Sequence, residues 1–597
     1  MAARGSISSV GNPVIYIAEV DNILKAISNY GKKWLYTTYL ILGISSGFPT
    51  AWHMFAISFV GGLPDDYHCR VGANQSIPQI YKDGKWTNDK CRMYKNESSG
   101  DNQTIPCNNG WVYYTDYQST IVTEWDLVCD RDYLPQMSQT IFVVGTLIGA
   151  GSLSPLADWL GRKKVHIGSQ IAMAVVGIVT MFSPNYAMYA VMRFLSGALQ
   201  QGVVLSASVQ IFELFPASTR TVFSLMVQFY WAVGVIFLAV FAFFVRDWRY
   251  LQLVISIPAF LVLLGIWFFP ESVPWLIAHG KTDEAEKVIE KAVKGTKIKI
   301  PIPGSLLEME VPERPSLRRL SLELKNKSVT QMRNLKRRLS DPRRSSTQAP
   351  PAPPPEEKAE TLLDVIKHPR LRWYSLIMCL MWLNSSMAYY GISLSATTLV
   401  GNRYLNFGLV GVVEIPAYCF TIAAATKIGR RIPSCFVQVG GGVALIIVAF
   451  IPKTLADGTS LAPLIVTVTM VGMFFEASAF SLAFLYGQEI YPTSTRNSGL
   501  GLSSMWARAG GMLAPFAGYM MTKIYWFPGV FLGSVSIIIG LLVLYLPEPL
   551  GRPIPQKIAD MDSWTRQRYR PPTDDNMADE QLPALHEQNE DDLMEIK

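Results

Sequence analysis

Glu213-Leu-Phe-Pro-Ala-Ser-Thr-Arg220 and Glu489-Ile-Tyr-Pro-Thr-Ser-Thr-Arg496 are two copies of one phrase, offset by 276 residues (489 − 213). Two looser echoes keep nearly the same spacing: Gly161-Arg162-Lys163 with Gly429-Arg430-Arg431, and Pro270-Glu271 with Pro547-Glu548. A chain that repeats itself at this distance is built from two related halves, each longer than the unit of a short-repeat solenoid.

What each half contains follows from hydropathy. Half of the 597 residues are apolar and only 17 % are charged, with a positive mean hydropathy. A bilayer core about 30 Å thick takes about 20 apolar residues per crossing helix. Twelve such runs can be placed, at 34–60, 134–156, 165–183, 186–212, 221–245, 249–269, 373–395, 404–426, 433–452, 461–487, 498–522 and 526–546. Six fall in each half, as a duplicated six-helix unit requires. The expected fold class is an all-α membrane protein with twelve transmembrane helices in two six-helix bundles. No cleavable signal peptide is expected, because the first apolar run follows about 33 mixed residues and is too long for one.

Lys and Arg in the short loops set the orientation. With both termini cytoplasmic, Lys32, Lys33, Arg162–Lys164, Arg220, Arg430, Arg431 and Arg496 all fall inside. The organisation is then a cytoplasmic segment 1–33, a bundle 34–270 with an extracellular loop 61–132, a cytoplasmic loop 271–371, a second bundle 372–547 and an acidic tail 548–597. The net charge of +7 is local, since 314–344 holds eleven Lys and Arg against two acids. A basic segment beside anionic inner-leaflet lipid is the ordinary reading, and a nucleic-acid partner is not expected.

The outer loop carries Cys69, Cys91, Cys107 and Cys129 with sequons at Asn74, Asn96 and Asn102. An even cysteine count beside sequons points to two disulfides in an oxidising compartment, with three connectivities open. Cys379, Cys419 and Cys435 lie in apolar runs and read as packing residues. The inner loop opens with a helix-forming stretch, 282–294, acidic early and basic late. A proline-rich stretch follows further on, and Ser321, Ser340 and Ser345 sit behind paired arginines as phosphorylation candidates, against the alternative of an unregulated linker.

Motifs for hydrolysis, nucleotide binding and metal ligation are missing from the sequence, so neither an enzyme nor a pump driven by its own ATPase is expected. Polar residues at membrane depth remain. An ionisable group there is a functional candidate, and Glu414, Glu476 and Arg508 stand out. The alternative is a buried pair in which either acid neutralises Arg508. Facing a cavity instead, an acid and a guanidinium would suit a substrate bearing both signs. Trp382 and the adjacent Tyr389 and Tyr390 sit two turns apart, and Gln228 and Trp231 one turn apart; such rings can receive an ammonium. At the inner face Asp158, Arg162, Glu213, Arg220, Glu271, Arg430, Glu489 and Arg496 form a candidate gate that would hold the halves together when the cavity opens outward.

Asp158-x-x-Gly-Arg-Lys163 resembles the signature loop of the major facilitator superfamily. Cys107-Asn-Asn-Gly-Trp111, Thr123-Glu-Trp-Asp-Leu-Val-Cys-Asp130, Pro270-Glu-Ser-Val-Pro-Trp275 and Glu489-Ile-Tyr-Pro-Thr493 are similar to its organic cation, organic anion and carnitine transporter family. The resemblance, over about 30–555, implies polyspecific transport by alternating access in the plasma membrane. Departures are Ser154 and Trp159 in the signature loop, Thr426 in its second copy, and Pro274 where the family has arginine. Arg508 matches the anion branch, whereas Tyr418 replaces that branch's lysine and Glu414 resembles the cation and carnitine branches. The expectation is a transporter of small organic cations or zwitterions of carnitine or betaine type, working as a monomer. Glu414, Glu476 and the aromatics would receive the ammonium and Arg508 the carboxylate. No cofactor or metal is expected, and coupling to Na+ or H+ is open. The alternatives are an organic anion transporter and a ligand-sensing receptor that does not transport.

Overall fold

The computed structural model describes residues 13–71, 76–82, 85–96, 101–261, 269–294, 362–455, 457–492, 494–550, 552, 555 and 557–561. These fall into two units, one formed by 13–31 with 273–294 and one by 32–272 with the described residues from 362 onward. Ser321, Ser340, Ser345, Asn74 and the tail beyond Met561 lie outside the described residues.

The larger unit holds all twelve expected helices. In the first half they are Lys32–Phe55 continued by Ile57–Val60, Leu134–Leu160, Arg162–Met181, Tyr186–Leu214, Ala217–Met226 joined to Gln228–Phe244, and Trp248–Ser256 continued by a 3₁₀ turn, Ile257–Leu261. In the second they are Pro369–Ser395, Arg403–Lys427, Arg431–Phe450, Ala462–Ile490, Arg496–Lys523 and Phe527–Leu542. Among the described residues eight helices reach the length and hydropathy of a bilayer crossing. The fourth, sixth, seventh and eleventh are not among the eight; the fourth, seventh and eleventh carry Arg193, Asn384 and Arg508 and bring polar groups to the interior.

Packing repeats between the halves. The second helix lies on the fourth as the eighth does on the tenth, and the first lies on the fifth as the seventh does on the eleventh, while the fifth meets the eighth and the second meets the eleventh across the divide. Close approach is bought with glycine: a Cβ at Gly145 would stand 2.1 Å from the Phe194 carbonyl, and one at Gly510 2.2 Å from that of Leu383.

Among the described residues the outer loop holds only short helical turns, at Ile121–Glu124 and Cys129–Arg131. It consists mainly of three antiparallel two-stranded ribbons, Asp66–Cys69 with Trp111–Tyr114, Gln79–Lys82 with Lys85–Asn88, and Arg92–Asn96 with Asp101–Pro106. Of the three connectivities the structure selects Cys69–Cys107 and Cys91–Cys129. Asn96 ends its strand and Asn102 lies in the partner strand. The loop is anchored through Glu124, whose carboxylate accepts from Trp248 Nε1 at 2.7 Å and pairs with Arg249 of the sixth helix. Of the three free cysteines Cys379 is buried, Cys435 is half-buried, and Cys419 is exposed on the eighth helix; the expectation of packing is corrected for Cys419.

In the smaller unit, Thr282–Ala292 forms the expected helix, with Asp283 and Glu284 in its first turn, Lys291 in its last, and Ala285, Ile289 and Ala292 buried. The opposite end charges complement the helix dipole.

Candidate functional site

The repeated charges explain themselves once the backbone is traced. Gly161 and Gly429 take φ of 105° and 113°, which favours glycine, and each turns the chain into the following helix. At that turn Glu271 Oε1 accepts from the amides of Arg162 at 2.9 Å and Lys163 at 3.1 Å. Glu548 Oε2 does the same for Arg430 at 3.0 Å and Arg431 at 2.9 Å. A carboxylate against free amides at a helix start is satisfied by hydrogen bonds and by the dipole together. Arg162 then reaches Glu213 at 3.4 Å, also pairing with Asp158 at 3.1 Å, and Arg430 reaches Glu489 at 2.7 Å. Arg220 Nε donates to the Phe215 carbonyl at 3.1 Å, with its guanidinium over the Phe212 ring, and Arg496 opens the eleventh helix within electrostatic reach of Glu489. These ion pairs close within each half, in a structure whose loop-bearing end is shut, whereas the expected contact between the halves belongs to the state open at that end.

The halves are joined at the other end. Asp132 accepts from Lys523 Nζ at 2.9 Å and Tyr519 Oη at 3.0 Å, and Asp65 pairs with Arg403. Below these pairs lies a cavity of about 70 Å³, lined in part by Ser58, Gln136, Gln139, Ser395, Thr398 and Gly518. The structure is therefore closed at the end that bears the disulfide loop.

One to two turns farther from the loop the candidate residues meet. The indole Nε1 of Trp231 donates to Tyr389 Oη at 2.8 Å, and that hydroxyl donates to Glu414 Oε1 at 2.5 Å. Tyr418 Oη donates to Glu414 Oε2 at 3.1 Å, so both carboxylate oxygens are taken and Glu414 is 0 % exposed. Phe55 lies 5.7 Å from Trp231, 6.0 Å from Tyr390 and 5.8 Å from Phe407, ring centre to ring centre. Pro416 sits inside the eighth helix beside Glu414, where it removes a rung of the backbone ladder.

Arg508 approaches from the eleventh helix. Its Nη1 donates to Thr146 Oγ1 of the second helix at 3.3 Å, and Tyr390 lies within electrostatic reach of both Arg508 and Glu414. No ion pair neutralises Arg508 among the described residues, so the alternative of a buried Glu–Arg pair is not what forms.

Three expected residues stand apart. Trp382 is buried farther along the seventh helix, packed on Phe480 and Phe484. Gln228 is half-buried just after the break in the fifth helix. Glu476 is corrected as a member of this cluster: its carboxylate points to Ser536 of the twelfth helix and toward Gly441 of the ninth.

Sequence reasoning missed Arg193. It is 2 % exposed, donates Nη1 to the His53 carbonyl at 2.7 Å and Nη2 to Gln139 Oε1, and stacks 4.3 Å over the Phe142 ring. A single arginine inside the apolar run 186–212 was the signal that could have found it.

Two six-helix bundles joined at one end around buried charges and aromatic rings define a membrane transporter of the major facilitator fold. Residues 87–557 match the sugar (and other) transporter family, and the chain belongs to it. It is 30 % identical to the organic cation transporter protein of Drosophila melanogaster, over 91 % of this chain and 94 % of that one. It is 33 % identical to solute carrier family 22 member 6-A of Xenopus laevis, over 80 % and 78 %, and 31 % identical to organic anion transporter 3 of Oryctolagus cuniculus, over 87 % and 90 %. Among solved structures it resembles the inward-open xylose transporter XylE of E. coli, with a TM-score of 0.55 at 14 % identity over 89 % of this chain and 99 % of that one. At that identity the likeness speaks to the fold alone.

Proposed function

We propose that the chain carries small organic zwitterions of the carnitine or betaine class, and simple organic cations less well, across the plasma membrane by alternating access. Both termini would be cytoplasmic and the disulfide loop outside. One observation supports this most: Glu414 and Arg508 flank the Tyr389–Tyr390 pair, and among the described residues neither charge has an opposite partner. A substrate with an ammonium and a carboxylate supplies both. Trp231, Tyr389 and Phe55 offer ring faces to the ammonium, and the Arg508 fork suits a carboxylate. Transport follows when the pairs at Asp132 and Asp65 part and those at the repeated Glu–Arg phrase approach across the halves.

The second reading is an organic anion carrier. It is supported by the two tyrosine hydroxyls that already satisfy Glu414, which leave Arg508 the less committed charge, and by the relatives named as anion transporters. Uptake of labelled carnitine, tetraethylammonium and para-aminohippurate in cells expressing the chain tests the choice. Carnitine in excess of the others is the expected result; para-aminohippurate alone transfers the assignment to anions, and uptake of none of the three ends both readings.

A further inference from the structure

Behind the aromatic cluster, inside the second half, lies a polar network that the substrate site does not use. Asn384 and Ser385 of the seventh helix, Gln438 of the ninth, Glu476 of the tenth and Ser536 of the twelfth are all fully buried. Asn384 Nδ2 donates to Gln438 Oε1 at 3.0 Å and to Ser536 Oγ at 2.8 Å, Gln438 Nε2 donates to Ser385 Oγ at 2.7 Å, and Ser536 Oγ donates to Glu476 Oε1 at 3.3 Å. Two oxygens are left over: Glu476 Oε2 and Asn384 Oδ1 are buried and accept nothing.

Space is reserved for the carboxylate. A Cβ at Gly441 would stand 2.6 Å from Glu476 Oε1, and beside it the ninth and twelfth helices touch backbone to backbone, a Cβ at Gly442 or Gly533 falling 2.5 Å from the other's carbonyl oxygen. The titratable groups of the neighbouring helices are engaged elsewhere. Glu414 and Tyr418 of the eighth bond each other, Tyr389 of the seventh bonds Glu414, and Arg508 of the eleventh bonds Thr146. Tyr390 packs on Tyr389 and Phe480, and Cys379 lies near Ser503 of the eleventh helix. Cys435 of the ninth is half-buried, and the twelfth has no titratable side chain over Phe527–Leu542. Among the described residues Glu476 therefore has Ser536 as its one hydrogen-bond partner and pairs with no cation.

An uncompensated carboxylate at membrane depth costs several kcal/mol. A hard metal cation would relieve it only with about six or more oxygen ligands, whereas the network leaves two free. A proton needs one. We infer that Glu476 is a proton-carrying site: Oε2 takes a proton from water as an O–H, and releases it to water when the second half rearranges. The coupling is mechanical. Asn384 and Ser385 lie between Trp382 and Tyr389 on the seventh helix, and Phe480, one turn after Glu476, stacks 5.9 Å from Tyr389. Loading and unloading Glu476 thus acts on the helix that carries the substrate rings.

The inference rests on the transporter class and is independent of the substrate's charge. The test uses the full chain in proteoliposomes. Infrared difference spectra across a pH titration should show a carboxylic-acid carbonyl band that Glu476→Gln removes and Glu414→Gln does not; a band that survives in Glu476→Gln overturns the proposal. Should Glu476→Gln fail to fold, Ser536→Ala must displace the pH midpoint of that band, and an unmoved midpoint overturns the proposal equally. With whichever labelled substrate the uptake panel finds, a pH gradient should drive accumulation approaching about tenfold per pH unit, the limit for one proton per substrate. Glu476→Gln should lose this while keeping substrate counterflow. Accumulation that persists in Glu476→Gln, or that a sodium gradient drives and this variant abolishes, also overturns it. If no panel substrate is carried, the substrate reading has failed while the infrared band still decides Glu476.

Discussion

Tyr389 Oη lies 2.5 Å from Glu414 Oε1, and it is the same oxygen that accepts the indole N–H of Trp231 from the other half. One phenol thus satisfies a buried acid and ties the two bundles together at the depth of the site. Glu414 can meet a substrate only if Tyr389 or Tyr418 turns aside, so binding exchanges a protein hydrogen bond for a substrate contact.

Tyr389→Phe removes that hydroxyl and leaves Tyr418 as the remaining donor to Glu414. Losing a hydrogen bond to a buried charged group costs about 1.5–3 kcal/mol. The purified variant should melt at lower temperature, and its KM for an ammonium substrate should change more than that for an anion. Unchanged melting together with unchanged KM would show that the Tyr389–Glu414 bond is dispensable.

Arg508→Ala should abolish uptake of a carboxylated substrate at normal surface expression and spare tetraethylammonium. Arg508→Lys keeps the charge but loses the two-pronged geometry, so it should recover only part of the carboxylate uptake. Equal loss of both substrate types in Arg508→Ala would refute the zwitterion assignment.

The pair Asp132–Lys523 closes the loop-bearing end, with side chains 23 % and 52 % exposed. A pair this open contributes at most about 1 kcal/mol, enough to shift a two-state equilibrium about fivefold. In Lys523→Ala, a cysteine placed at Ser58 in the cavity below should react several-fold faster with a membrane-impermeant thiol reagent than the same cysteine with Lys523 present. Equal rates would mean that the pair does not hold that end shut.

Gly429→Ala puts a side chain at φ 113°, with its Cβ 2.6 Å from the Glu548 carboxylate. The backbone strain alone is worth about 1–3 kcal/mol, and the displaced carboxylate would release the amides of Arg430 and Arg431. Lower thermal stability and slower transport should appear together, and Gly161→Ala, with φ 105°, should show the milder form of the same defect.

In the outer loop a hydrogen bond from Lys90, 2.6 Å away, holds the Asp66 carboxyl below the usual carboxylate range. Its folded pKa lies under the unfolded value, so the pair's contribution is fully present above about pH 4 and is lost as pH falls through the lowered folded value. Lys90→Met should therefore lower thermal stability at neutral pH, and the difference from the unsubstituted protein should shrink toward zero in acid. A difference that stays constant with pH would assign the effect to packing.

The twelve helices, the two halves and the cysteine-bearing outer loop were legible because their signals are local, whereas the strand ribbons within that loop were not read. Apolar run length is dictated by bilayer thickness, and duplication leaves both copies of the Glu–Arg phrase in the same chain. Even the echo of Pro270-Glu271 in Pro547-Glu548 foretold a shared role, although not that each carboxylate caps the helix after its glycine. The site was legible only as a set of residue types. Glu414 and Glu476 are the same residue in similar apolar surroundings, and nothing in the chain says that one faces two phenols and the other a serine. Arg193 could be read as a lone arginine in an apolar run, but its partners, the His53 carbonyl and Gln139, come from other helices and could not.

By itself the sequence determined that this protein crosses a membrane twelve times as two related bundles, since hydropathy and repetition act along the chain. Which charges meet was decided only by the tertiary structure. A buried carboxylate is stabilised by whatever donors the helices beside it bring within about 3 Å, and that choice depends on helix rotation and packing hundreds of residues away.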